Sequence, residues 1–201
     1  MSATDAALTV YIVDDDAAVR DSLSLLLSLR GYRTATFSSG EDFLAAWNPS
    51  LSGCLVADIR MPGMSGLELQ AELARRGSRL PVVIVTAHGD VATARAAFQS
   101  HAVDFLEKPF DDSSPVEAVE ASFRRERERL SAAAVAERKH ASLAALTPRE
   151  AEIFQLLVQG LHNLEVARQL GISPRTVEVH KARIMEKLGA RNIAELVRIA
   201  G

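Results

Sequence analysis

Leu8-Thr-Val-Tyr-Ile-Val-Asp-Asp15 is the stretch that decides the fold, because it is a short apolar run, rich in β-branched residues, that ends at two carboxylates. An uninterrupted apolar run of this length indicates a strand that is buried on both faces of a parallel sheet. Asp16 can then cap a helix, whose apolar residues recur at helical spacing until Gly31 offers a stop. Residues 8–31 are therefore predicted to form one strand-helix unit.

The same alternation of apolar runs and helical patterns continues along the next part of the chain. It predicts further strands near 33–36, 53–57, 81–85 and 103–106, and helices near 40–47, 66–76 and 90–100. Five consecutive strand-helix units are typical of an α/β fold, here a doubly wound, five-stranded parallel sheet.

From Ser113 the pattern is helical without strands, and the charges after Phe123 alternate in sign. Val116 and Val119, together with Phe123, have the spacing to face the sheet. For residues 124–139 one interpretation is a solvated, charged helix. The other is a linker or partner helix, which would use a weak stripe of leucine and alanines.

A second domain is predicted to begin at Leu146-Thr-Pro-Arg-Glu150. Thr147 can cap a helix there, Pro148 suits the first helical position, and Glu150 completes a capping box. Four apolar groups follow at helical spacing: Ile153, Leu156, Leu157 and Leu161; Val166, Ala167 and Leu170; Val177, Val179, Ile184 and Leu188; and Ile193, Leu196 and Val197. They predict a small all-α domain with a turn at 171–174 between its second and third helices.

The predicted domain organisation has three parts. Residues 1–125 form the α/β domain, residues 126–145 form a helical linker continuous with its last helix, and residues 146–201 form the all-α domain. In the helix beginning at Pro174, a set of outward residues alternates in charge: Arg175, Glu178, Lys181, Ala182, Met185 and Glu186. A solvated helix and a DNA-reading helix both fit this polar face.

Composition limits the classes of protein that the chain can belong to. Its 48% hydrophobic content supplies a packed core, and its single cysteine, Cys54, lies in an apolar run and suits a reducing compartment. No apolar stretch approaches the roughly 20 residues of a membrane span, and the N-terminus lacks a signal-peptide pattern. We expect a cytoplasmic protein. The net charge of −3 combines an acidic front with a mildly basic tail, which permits nucleic-acid binding.

Acidic and polar residues follow the predicted strands where their carboxyl ends meet. Asp14, Asp15 and Asp58 come after the first and third strands, Thr86 after the fourth and Lys108 after the fifth. Three converging carboxylates repel each other unless a hard cation such as Mg²⁺ neutralises them. Lysine and hydroxyl groups beside that ion suit phosphoryl oxygens, with one carboxylate as the nucleophile. Taken singly, each residue has a plain structural explanation, such as a helix cap, a turn or a surface charge.

In combination these residues resemble the receiver domain of response regulators. The motifs that carry the resemblance are Val13-Asp14-Asp15, Asp58-Ile-Arg-Met-Pro-Gly-Met-Ser-Gly66, Thr86-Ala87 and Lys108-Pro109-Phe110. The resemblance covers residues 8 to about 125. It implies that Asp58 is the phosphoacceptor, that Asp15, Asp58 and the backbone carbonyl of Arg60 bind Mg²⁺ directly while Asp14 helps through water, and that Lys108 pairs with the phosphoryl group.

The same resemblance implies a conformational switch. Thr86 would move toward the phosphate, Phe105 would rotate inward behind it, and the small Ala87 would leave the acceptor accessible. The Lys108–Pro109 peptide bond is expected to be cis. One departure is His101, at a position where such receivers usually have glycine, which puts the local end of the preceding helix in question.

The second domain is similar to that of NarL/FixJ-type regulators, nearest the FixJ branch, through Leu146-Thr-Pro-Arg-Glu150, Gly160-Leu-His-Asn163 and Ile172-Ser-Pro-Arg-Thr-Val-Glu-Val-His180. This similarity covers residues 146–199. The resemblance implies a LuxR-type helix-turn-helix whose helix from Pro174 enters the major groove. Base edges would be met by Glu178, Val179, Lys181 and Ala182, and the DNA backbone by Thr176, His180 and Arg183, with Arg175 and Lys187 nearby. Leu164 departs from the lysine common at that position.

The function implied is that of a transcription regulator in a two-component system, and not an enzyme. It would receive a phosphoryl group from a sensor histidine kinase, form a homodimer, bind a two-fold site on double-stranded DNA, and work with RNA polymerase as an activator. Two alternatives stay open. One is a phosphatase that uses Asp58 as a covalent nucleophile, although a second carboxylate would then be needed where Arg60 stands. The other is a receiver that dimerises independently of phosphate.

Overall fold

A computed structural model describes residues 8–87 and 102–200, together with Arg95, Ala97 and Gln99. Those three residues are helical, and most of the predicted helix near 90–100 and the predicted strain at His101 lie outside the described residues. The chain divides into two compact units, with the division between Ser131 and Ala132.

The first unit is built on a five-stranded sheet, as the alternation of strands and helices predicts. All neighbouring strands are parallel, in the order β2-β1-β3-β4-β5, with bounds β1 Thr9–Val13, β2 Arg33–Phe37, β3 Gly53–Asp58, β4 Val82–Thr86 and β5 Asp104–Glu107. The fourth strand begins one residue later than predicted, at Val82. Pro81 has no N–H to donate to a neighbouring strand, which suits a position just outside the ladder.

Helices cover both faces of the sheet. Their bounds in the first unit are α1 Ala17–Leu29, α2 Gly40–Ala46, α3 Gly66–Arg75 and α4 Ser113–Ala144, the last of which continues past the division between the units. The Asp16 side chain accepts a hydrogen bond from the backbone N–H of Ala18, which confirms the predicted cap. Among the helices of the described ranges, none combines the length and apolar character that a membrane-spanning segment requires.

Two hydrophobic clusters lie on opposite faces of the sheet, because successive side chains of a strand point to opposite sides. Val10 and Ile12 join the cluster under α1 and α4, where Val116, Val119 and Phe123 are buried as predicted. Tyr11 and Val13 join the cluster under α2 and α3. Cys54 is fully buried in the cluster under α1 and α4.

The interpretation of residues 124–139 as a solvated helix is wrong at one position. Glu126 is only 1% exposed, and its carboxylate forms an ion pair with Arg129. The reason is geometric, since Glu126 lies three residues after Phe123 and seven after Val119, on the helix face that packs against the sheet. Glu126 thus continues the buried stripe of the helix. Because its side chain is charged, the apolar pattern of the sequence does not reveal this.

The second unit contains the end of α4 and four further helices. These are α5 Pro148–Val158, α6 Asn163–Leu170, α7 Pro174–Leu188 and α8 Ile193–Ala200. Thr147 and Glu150 form the predicted capping box, and Gly171 at the turn before α7 has a positive φ of 65°. The small helical domain expected from the sequence is therefore confirmed.

The core of the second unit corrects four details of the apolar pattern. Val179 and Val197, each grouped with the apolar residues of its helix, are 47% and 45% exposed and do not join the core. Met185, expected to point outward, packs partly buried against the core. Phe154 was not identified, yet it is buried beside Ile153.

Candidate functional site

The carboxyl ends of three strands bring Asp14, Asp58 and Lys108 together. Asp14 follows β1, Asp58 is the last residue of β3, and Lys108 follows β5. The Lys108 Nζ donates hydrogen bonds to Asp14 Oδ2 and to Asp58 Oδ1, each at 2.7 Å. The two carboxylates are nearly buried, with 3% and 6% of their surface exposed. This cluster is the candidate site.

Backbone groups hold both carboxylates in place. Asp14 Oδ1 accepts a hydrogen bond from the Asp16 N–H at 2.9 Å, and Asp58 Oδ2 accepts one from the Arg60 N–H at 2.6 Å. The Lys108 N–H donates to the carbonyl of Thr86 at 2.7 Å, and the Lys108–Pro109 bond is cis as predicted. Each carboxylate is thus fixed by the chain segment that follows its own strand, and the backbone of Lys108 is tied to the end of β4.

Gly66 has a structural role that the sequence motif did not explain. A Cβ atom at this position would lie 2.3 Å from the backbone oxygen of Asp58, so only glycine lets the start of α3 approach so closely. The Gly66 N–H also donates to the carbonyl of Ile59 at 3.2 Å. The helix therefore closes directly on the segment that carries Asp58.

Two buried carboxylates share one ammonium group, and this arrangement shifts the pKa values of Asp58 and Lys108. Burial raises the pKa of Asp58, and the neighbouring charge of Asp14 adds to that rise against the opposing effect of Lys108. Burial alone would lower the pKa of Lys108, but the hydrogen bonds that its ammonium group donates to Asp14 and Asp58 outweigh this effect and raise the pKa. Lys108 is therefore protonated over the physiological pH range.

The remaining residues predicted for this site lie around the cluster. Asp15 is exposed, and Thr86 is the buried last residue of β4. Phe105 is half-buried and packs against the cluster under α2 and α3. Across the described residues, no group of three or more His, Cys, Asp or Glu side chains is arranged to hold a metal ion. Two of the three predicted carboxylates, those of Asp14 and Asp58, are thus brought together by Lys108, and Asp15 faces solvent.

The predicted DNA-reading helix, α7, has a well-formed start and an open face. The Ser173 side chain accepts a hydrogen bond from the Thr176 N–H at 3.0 Å, and Pro174 occupies the first turn. Of the nine predicted contact residues, six are exposed, namely Arg175, Glu178, Val179, Ala182, Arg183 and Lys187, while Thr176, His180 and Lys181 are half-buried.

Lys187 has a partner within its own domain that sequence reasoning missed. Its Nζ donates to Glu150 Oε2 at 2.6 Å and to the carbonyl of Ala145 at 3.1 Å. The hydrogen bond from Lys187, helped by the backbone N–H of Thr147, lowers the pKa of Glu150 to about 2. Lys187 therefore ties the end of α7 to the capping box of α5.

Comparison with known proteins agrees with this two-part organisation. Residues 10–120 match the family described as the response regulator receiver domain, and residues 144–200 match the bacterial regulatory proteins of the luxR family. The transcriptional regulatory protein FixJ of Bradyrhizobium diazoefficiens is 44% identical over 192 residues, which cover 95% of this chain and 93% of that protein.

Two further matches span both units. The C4-dicarboxylate transport transcriptional regulatory protein DctR of Rhodobacter capsulatus is 44% identical over 96% of this chain and 99% of its own length. A low-resolution structure of the response regulator StyR matches with a TM-score of 0.90 and 40% identity, over 97% of this chain and 98% of that one. The chain thus belongs to the FixJ-like response regulators, the transcriptional regulators of two-component systems in which a receiver domain precedes a LuxR-type DNA-binding domain.

Proposed function

We propose that Asp58 is the residue that accepts a phosphoryl group from a sensor histidine kinase. The observation that carries this proposal is the Asp14–Lys108–Asp58 cluster at the carboxyl ends of the strands. A carboxylate oxygen of Asp58 attacks the phosphorus of a phosphohistidine, the P–N bond breaks, and an acyl phosphate forms. Lys108 then pairs with the phosphoryl oxygens, which places its charge where the incoming negative charge collects.

Receiver domains generally bind Mg²⁺ at the phosphorylation site, and the oxygen donors near Asp58 suit this hard cation. Asp15, Asp58 and the carbonyl of Arg60 would hold the ion directly, and Asp14 would act through water. When bound, the ion neutralises negative charge on the phosphoryl oxygens. Before the ion binds, the hydrogen bonds from Lys108 offset the charge repulsion between Asp14 and Asp58.

Thr86 and Phe105 are proposed to carry the signal away from Asp58. Thr86 follows Val85 on β4, and Val85 is the residue that pairs with Asp58 of β3. Phe105 lies on β5, the neighbour of β4 on its other side. If the Thr86 hydroxyl turns toward the new phosphoryl group, it leaves a space that the half-buried ring of Phe105 can fill. Phosphorylation would thus shift the population of two receiver conformations.

The output of the switch is proposed to be dimerisation on a two-fold promoter site. The open face of α7 supports the DNA-binding part of this proposal, in which Glu178, Val179, Lys181 and Ala182 would meet base edges. Backbone contacts would come from Arg175, Thr176, His180 and Arg183. Lys187 is held by Glu150, so its substitution would affect stability as well as DNA affinity. Transcription activation with RNA polymerase, in the cytoplasm, completes the proposal.

Turnover of a phosphorylated substrate is not part of this proposal. A phosphatase that used Asp58 as nucleophile would need a second acid-base carboxylate close by in the chain, and Arg60 stands in that place. Asp58 is then a receiver of phosphate, and the chemistry ends with a modified protein.

The proposed acceptor is tested by incubating the protein with acetyl phosphate and Mg²⁺ and measuring its intact mass. The wild-type chain should gain one phosphoryl group that is labile in alkali, as an acyl phosphate is. The Asp58→Asn variant should gain none, and the exposed-site control Asp112→Asn should behave as the wild type. Full phosphorylation of the Asp58→Asn variant would contradict the proposal.

A further inference from the structure

A cavity of about 460 Å³ opens at the end of the sheet opposite to Asp58. It lies between α3, the loop that leads into β4, and the middle of α4. Its apolar wall is formed by Leu73, Leu80, Pro81, Val82 and Val103. A volume of this size falls within the usual range of small-molecule sites, about 300–1,000 Å³.

Charged groups line the same cavity. Arg79, Arg125 and Arg129 surround it, and among the lining residues that the structure describes the single carboxylate belongs to the buried Glu126. The lining therefore carries an excess of positive charge around an apolar wall. Arg79 and Arg125 are exposed to solvent.

The Glu126–Arg129 pair fixes one of these arginines. Arg129 Nε donates to Glu126 Oε2 and Arg129 Nη2 donates to Glu126 Oε1, both at 2.7 Å. A fork of two parallel hydrogen bonds holds the guanidinium in one orientation and leaves its Nη1 uncommitted to Glu126. Burial of the Glu126 carboxylate costs desolvation energy that the ion pair with the partly exposed Arg129 must offset, so stability alone is a weak reason for this arrangement.

A smaller cavity of about 230 Å³ adjoins the first, and the two share Ser78, Arg79, Leu80 and Arg129. Trp47 lines this second cavity. Trp47 is also the one tryptophan of the chain, so its fluorescence reports on the immediate surroundings of the shared wall.

We propose that the larger cavity binds a small organic carboxylate with an apolar body. The apolar body would lie against Leu73, Val82 and Val103, and the carboxylate would accept hydrogen bonds from Arg79, Arg125 and Arg129. This proposal goes beyond phosphorylation and does not depend on it, since the described residues that line the cavity include none of those around Asp58.

Occupation of this cavity has a consequence for α4. Arg125 and Arg129 belong to α4, while Arg79 belongs to the loop before β4. A ligand that accepts hydrogen bonds from both elements links α4 to the loop before β4. The link lies near the end of the buried stripe of α4. The amides of residues 125–131 should then exchange more slowly with solvent.

The test uses the full, unphosphorylated chain and three probes at constant ionic strength. Hexanoate has both a carboxylate and an apolar body, hexanamide lacks the charge, and acetate lacks the body. Trp47 fluorescence follows each titration, and hydrogen exchange follows the amides of residues 125–131. The test variant is Arg79→Gln/Arg125→Gln. The matched control is Arg124→Gln/Arg127→Gln, which removes the same charge from residues that line a different cavity beside Tyr32.

The expected result is saturable binding of hexanoate with a Kd on the order of 1 mM, as befits a ligand of this size. Hexanamide and acetate should bind about tenfold more weakly or worse, and so should hexanoate to the test variant. The control variant should bind within about twofold of the wild type. The proposal is overturned if no titration saturates, if hexanamide matches hexanoate, or if both variants lose binding equally. Because no phosphate donor is present, none of these outcomes bears on Asp58 as acceptor.

Discussion

Lys108 Nζ and Asp58 Oδ1 lie 2.7 Å apart, although 50 residues separate them in the sequence. The same ammonium reaches Asp14, so one cation joins the ends of strands β1, β3 and β5. This contact holds together the site at which the receiver is proposed to take up phosphate. It also makes Lys108 a structural as well as a chemical residue.

Replacement of Lys108 by methionine should destabilise the first unit. It leaves two buried carboxylates without their counter-charge, which costs about 3 kcal/mol in the free energy of unfolding. Urea unfolding followed by Trp47 fluorescence measures this loss, because Trp47 belongs to the same unit. In an Asp14→Asn/Asp58→Asn background the same replacement should cost less than about 1 kcal/mol. An equal cost in both backgrounds would refute the electrostatic explanation.

A methyl group at Gly66 should disturb the segment that carries Asp58. The Gly66→Ala side chain would lie 2.3 Å from the backbone oxygen of Asp58, so either α3 or that segment must shift. We expect a loss of about 1–3 kcal/mol in stability and slower phosphorylation by acetyl phosphate. The matched control is Gly40→Ala, at the start of α2, whose nearest contact is the Met64 side chain at 3.3 Å. Equal behaviour of the two variants would contradict the close approach.

Acid should weaken the second unit through Glu150. The pKa of this carboxyl is about 2 in the folded chain against an ordinary value of 4.5, mainly because of the hydrogen bond from Lys187. A lowered pKa adds stability that is present above pH 4.5 and is lost as the pH falls toward 2. Hydrogen exchange of the α5 amides between pH 5 and about 2.5 should show this loss in the wild type. A Glu150→Gln variant should lack that component, and a wild-type profile in the variant would count against the assignment.

DNA binding should separate backbone contacts from base contacts on α7. Arg183→Ala should weaken binding to all sequences about equally and reduce the slope of log K against log salt by about 1. Glu178→Ala should instead change the preference at one base pair, by about 1–3 kcal/mol. Arg168→Ala, an exposed arginine on α6, is the charge-matched control. Identical salt slopes for all three variants would show that Arg183 does not contact the DNA backbone.

Much of the fold could be predicted because its signals are local. The apolar run before Asp14 and the caps at Asp16 and Thr147 depend on residues next to one another in the chain. The strand-end rule then placed Asp14, Asp58 and Lys108 at one edge of the sheet without any knowledge of distances.

The missed features depend on partners that are distant in sequence or on a change of residue type. The pair of Lys187 with Glu150 spans 37 residues, and no periodicity reveals it. Gly66 is needed because of a backbone atom eight residues earlier. Glu126 lies on the correct helical stripe, yet its charge suggested a solvent-facing position.

The central claim is that phosphorylation of Asp58 controls DNA binding. The most direct test is a DNA-binding titration at fixed salt with promoter fragments, which compares the wild type and Asp58→Ala before and after treatment with acetyl phosphate and Mg²⁺. Our account predicts sharply tighter binding only for the treated wild type. Equal binding in all four samples would contradict it.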